Sequence, residues 1–127
     1  GHISPEESLI LCREGRKRGV NMILTHPEFP RTRIGRDDQA ELAKLGVVIE
    51  KNWFNLAQKS VMPEEMAETI RTVGSGHVYL ATDRGQKGAP TPVSELKRFI
   101  AVMLTCGIAE AQIRDMVQKV PEEVVCR

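Results

Sequence analysis

The chain has 127 residues, with 18 Lys and Arg against 17 Asp and Glu and a formal charge of +1. That balance excludes a polyanion binder acting through bulk charge, and 41% hydrophobic with 28% charged residues excludes a disordered chain. No apolar run approaches the roughly 20 residues that span a bilayer. Cys12, Cys106 and Cys126 are too few and too far apart for a disulfide framework or a zinc knuckle, so a reducing cytoplasm is the expected setting.

In chain order, Gly1-His2-Ile3 reads as the end of a strand. Ser4-Pro5-Glu6-Glu7 then starts a helix: Ser4 caps, Pro5 suits the first helical position and Glu7 completes a capping box. This helix is expected over 5–18, with Gly19 as its stop. The apolar run 20–25 reads as a buried strand bounded by His26-Pro27. A helix over 37–45 ends at Gly46, and Val47, Val48 and Ile49 form the second strand. Met62-Pro63 opens a helix carrying Met66, Ile70 and Val73 at helical spacing, stopped by Gly74.

The third strand is expected over 77–82, broken by Asp83-Arg84-Gly85. Thr91-Pro92 opens a helix with an apolar face of Leu96, Phe99, Ile100, Met103 and Leu104, ended by Gly107. A last helix over 109–119 buries Ile113, Met116 and Val117. The two long connections, 29–36 and 52–61, both follow strands. Strands alternating with helices at this spacing give an α/β fold with a parallel sheet. Uninterrupted apolar strands imply a sheet covered on both faces.

In parallel α/β folds the working groups gather at the carboxyl ends of the strands. His2, His26 and Asp83 fall there, whereas His77 opens its strand and belongs at the opposite end. Two imidazoles and a carboxylate suit a borderline divalent ion such as zinc, which activates a water molecule. Other roles fit each residue singly: a strand-end histidine also serves as a hydrogen-bonding residue, and Asp83 before Arg84-Gly85 also fits a turn. Arg13, Arg16, Lys17 and Arg18 close the first helix, where positive charge suits the helix dipole. An anion-binding module built on them is the weaker reading, and no aromatic residues interleave to stack on bases. Cys12, Cys106 and the five methionines read as core.

Taken in order, Gly1-His2-Ile3-Ser4, Thr25-His26-Pro27-Glu28 and Leu80-Ala81-Thr82-Asp83 resemble the second half of an amidohydrolase-superfamily (β/α)₈ barrel. In that superfamily, histidines end strands five and six and an aspartate ends strand eight. Thr82-Asp83-Arg84-Gly85-Gln86 and Thr91-Pro92 are similar to a group of predicted metal-dependent hydrolases within it. The resemblance covers essentially the whole chain. It implies that residues 1–127 are a single partial domain, about four β/α units running from the end of strand five to the C-terminal helix of a TIM-like barrel.

It further implies that His2, His26 and Asp83 bind the metal, that Asp83 is the acid/base, and that activated water attacks an amide, ester or lactone. Zinc is the expected ion, with manganese or iron as alternatives. Glu28, Glu50 and Gln86 are candidate substrate contacts, and Lys51 and Trp53 lie on the same rim. The superfamily's His-x-His of strand one and its bridging residue of strand four have no counterpart here. The expected partners are a small-molecule substrate and either a second copy or an N-terminal half-barrel, with no nucleic acid and no membrane. The alternative function is a non-catalytic half-barrel that self-associates.

Overall fold

The computed structural model describes residues 3–126. Helix α1 (Pro5–Lys17) leads to strand β1 (Ile23–Leu24); α2 (Arg36–Lys44) to β2 (Val48–Asn52); and α3 (Trp53–Ala57) with α4 (Pro63–Val73) to β3 (Val78–Ala81). Helix α5 (Pro92–Thr105) follows. The chain ends in a continuous helical run of α6 (Glu110–Arg114), a π turn (Asp115–Lys119) and α7 (Val120–Val125). The strands pair in parallel in the order β1-β2-β3. Consecutive parallel strands joined by helices are stacked β/α units, so the α/β expectation holds.

The helix starts follow the local chemistry. The Ser4 Oγ accepts from the Glu7 backbone N–H at 3.2 Å, and the Ser4 N–H donates back to the Glu7 Oε2 at 2.9 Å. The Thr91 Oγ1 accepts from the Ser94 N–H at 3.3 Å, at the start of α5. Gly46 follows α2 at φ 83°, a backbone region costly for residues with a Cβ. A Cβ there would also come within 2.8 Å of the Arg16 guanidinium.

The register sorts the strand residues onto two faces. Ile49 lies beside Val78 and Lys51 beside Leu80, all buried, and Leu24 pairs with Ile49. With Leu42, Met66, Ile70, Phe99, Met103 and Met116 these form the core beneath the helices. The opposite face carries Ile23, Val48, Glu50, Tyr79 and Ala81, each half-buried or exposed, and Asn52, which is buried where β2 meets α3. The expectation of two covered faces is therefore corrected. Strand β2 runs beyond the expected apolar stretch because Glu50, Lys51 and Asn52 continue it, with Lys51 paired to Glu28 inside the core and Glu50 on the opposite face.

The amino ends of the strands are closed by the C-terminal run, whose π turn packs on β3. Val124 of α7 shares a cavity of about 120 Å³ with Asn21, Gly46, Ile23 and Val48. Helix α7 carries the helical run past Pro121, beyond the helix expected over 109–119. Pro121 has no N–H to donate and its ring crowds the preceding turn, and the wider π turn absorbs both. Helix α3 was also missed, because its five residues are too few for a periodic signal. Of the methionines, Met66, Met103 and Met116 are buried, but Met62, at the N-cap of α4, is exposed. Of the three cysteines only Cys12 is fully buried. Among the described residues no helix is long and apolar enough to cross a membrane. Three strands are described where about four β/α units were expected, and the end of the first expected strand, at His2, lies outside the described residues.

Candidate functional site

The carboxyl ends of the three strands form one rim. His26 lies two residues beyond β1 and Asp83 two residues beyond β3, with β2 between them. In register, Leu24 at the end of β1 is level with Ile49 and so with Val78 at the start of β3, and β3 runs three residues further to Ala81, so Asp83 stands two strands across from His26 and further along the strand direction.

Both residues have the same unusual backbone. Only three non-glycine residues among those described have positive φ: His26 at 39°, Lys59 at 56° and Asp83 at 50°. Lys59 belongs to a helix ending, where its N–H bonds to the Leu56 carbonyl and the next N–H to the Asn55 carbonyl. His26 and Asp83 do not end helices. His26 opens a turn in which its carbonyl accepts from the Phe29 N–H at 3.0 Å, and its ring lies 5.6 Å from that of Phe29. Left-handed backbone at a non-glycine residue costs free energy, and such residues concentrate at functional sites.

Gln86 and Asp83 share the loop after β3, where the Gln86 Nε2 donates to the Asp83 carbonyl at 3.4 Å. Glu50 sits lower, on the open face. It accepts from the Tyr79 hydroxyl at 2.6 Å and from the Asn52 amide at 3.4 Å. Burial, then the hydrogen bond to Glu50 and the carboxylate's charge, push the Tyr79 phenol well above its ordinary pKa of 10.0. No local sequence signal marks Tyr79, which sits inside a short apolar strand; only the fold sets it opposite Glu50.

Glu28 does not join this rim. It is buried beneath α2, where the Lys51 ammonium donates to its Oε1 and, at 2.5 Å, to the Gln39 Oε1. Lys51 is likewise buried, so neither residue lines an open strand-end surface. A cavity of about 420 Å³ reaches Glu28 and Gln39 between α2 and α4, bordered by Arg33, Gly35 and Glu65, on the helical side of the sheet. Trp53 lies under the loop after β3, and its indole N–H donates to Glu95. His77 is exposed at the amino end of β3, away from the rim as expected.

Of the residues expected to hold a metal, His26 and Asp83 are described, each two residues beyond its strand. His2 lies outside the described residues. Among the described residues no group of three His, Cys, Asp or Glu side chains is assembled that could hold a metal by itself.

These features define a class: stacked parallel β/α units with polar groups at the carboxyl rim and one sheet face open. Residues 1–50 are similar to a family of unknown function, DUF6282. That match takes in α1, β1, α2 and the first residues of β2, with His26 inside it and Asp83 beyond it. No curated protein and no solved structure matches the chain.

Proposed function

We propose that the chain is the C-terminal half of a TIM-like barrel of the amidohydrolase type and carries part of a metal-dependent hydrolase site. The observation that supports this most is the shared left-handed backbone of His26 and Asp83 at the ends of alternate parallel strands. His2, His26 and Asp83 hold the ion in this reading, with zinc the best fit to the donors. When bound, the ion supplies Lewis acidity that lowers the pKa of water towards neutrality. Asp83, exposed at the rim, takes a proton from the attacking water and returns it to the leaving group. Gln86, beside Asp83, and Glu50, held by Tyr79 on the open face, are the candidate contacts to an amide, ester or lactone.

The test is zinc stoichiometry by equilibrium dialysis on the native chain and on His26→Ala, Asp83→Asn and His77→Ala. Stoichiometric binding lost in the first two variants and kept in the third supports the reading. A chain that takes up no zinc, manganese or iron overturns it.

A second reading, a non-catalytic half-barrel that self-associates, draws on a different observation. Ile23 on the open face, and Ile10, Leu11 and Val20 near β1, are exposed. Light scattering separates the two, since a monomer at all concentrations removes the second.

A further inference from the structure

Asp83 occupies a costly backbone conformation on an exposed loop, and the structure shows what holds it there. Directly before it, the Thr82 carbonyl accepts from the Phe54 N–H at 3.2 Å. Directly after it, Arg84 turns inward with only 16% of its side chain exposed. Its Nε donates to the Glu95 Oε2 at 3.1 Å, and its guanidinium carbon lies 5.7 Å from the centre of the Phe54 ring. The same Glu95 oxygen accepts the Trp53 indole N–H. Glu95 is itself 1% exposed, in the first turn of α5, and the Trp53 ring lies 6.0 Å from that of Phe99 in the core.

The loop is thus fastened on both sides of Asp83 to two helices. One buried carboxylate receives donors from α3 and from the loop. A buried carboxylate that accepts hydrogen bonds from donors on separate elements ties those elements together, because moving either element breaks a bond to it. Arg98 also reaches Glu95, at 3.2 Å, but it comes from the next turn of α5 and is largely exposed. It contributes nothing to the loop.

We propose that Arg84 and Glu95 are positioning residues, which hold Asp83 in the backbone geometry that presents its carboxylate to a divalent cation. This rests on the metal-site reading above. Removal of an outer group that orients a ligand commonly lowers metal affinity 10–100-fold. Trp53, the single tryptophan of the chain, shares the clamp and therefore reports on it.

The experiment is a zinc titration of the full chain, read by calorimetry and by Trp53 emission, on the native protein, Arg84→Ala, Arg84→Lys, Arg98→Ala and Asp83→Asn. Arg84→Ala leaves Glu95 paired with Trp53 and Arg98, so the fold persists. Its zinc affinity should fall about 10–100-fold with unchanged stoichiometry, and its zinc-induced emission change should disappear. Arg84→Lys should recover most of both, and Arg98→Ala should match the native protein. If Asp83→Asn loses affinity while Arg84→Ala keeps it and only unfolds more easily, Arg84 is merely structural and the proposal fails. If the native chain binds no zinc, or Asp83→Asn binds normally, the metal-site reading itself fails and takes the clamp's role with it.

Discussion

Lys51 and Glu28 form an ion pair almost entirely removed from water, with side chains 0% and 6% exposed, and it joins the loop after β1 to the carboxyl-terminal part of β2. Burial pushes the lysine below its ordinary pKa, and the charge and hydrogen bond of Glu28 pull it back. Such a pair contributes little relative to an apolar replacement, but leaving one partner alone is costly. Glu28→Leu alone should therefore lower unfolding stability by about 3–5 kcal/mol. The double variant Glu28→Leu/Lys51→Met should regain most of that loss. Urea denaturation of the three proteins checks this, and a double variant as unstable as the single one would show that the pair does more than neutralise itself.

Tyr79 is the only tyrosine in the chain, so phenolate absorbance follows it alone. Its raised folded pKa means that its contribution to stability is complete below pH 10.0, the ordinary value. As pH rises beyond that, the unfolded chain releases the proton while the folded chain keeps it, and stability falls. The phenol should titrate above pH 10.0 in the folded protein, and Glu50→Gln should bring it closer to the ordinary value. Tyr79→Phe should remove this component of alkaline destabilisation. Titration of Tyr79 at its ordinary value in the native protein would contradict the hydrogen-bonded placement.

The left-handed backbone at Asp83 separates conformation from chemistry. Glycine adopts that region freely, whereas a β-branched residue does not. Asp83→Gly should stay within about 0.5 kcal/mol of the native stability, and Asp83→Val should lose about 1–2 kcal/mol. Both should lose metal binding equally. Urea midpoints and zinc titrations on the two variants check this together, and equal stability would mean that the loop relaxes instead of bearing the strain.

Much of this architecture is legible in the sequence because it is written in local signals. Ser4, Pro5 and Glu7 fix where α1 begins, Thr91 and Pro92 do so for α5, and Gly19, Gly46 and Gly107 mark helix ends. The positions of His26 and Asp83 just beyond their strands follow from the same reading. Lys51 was not legible as a core residue, because its partners Glu28 and Gln39 come from other elements and only the fold brings them beneath β2. For the same reason Glu28 looked like a rim residue. The clamp on Asp83 was equally hidden: Arg84, Glu95 and Trp53 are far apart in the chain, and each alone looks like an ordinary surface or helix residue.

Zinc-edge X-ray absorption of the zinc-loaded native chain and its His26→Ala variant tests the metal site most directly. The account predicts nitrogen and oxygen ligands at about 2.0–2.2 Å, an imidazole scattering signature that weakens in His26→Ala, and no sulfur. A shell of sulfur at about 2.3 Å, or a spectrum unchanged by His26→Ala, would contradict it.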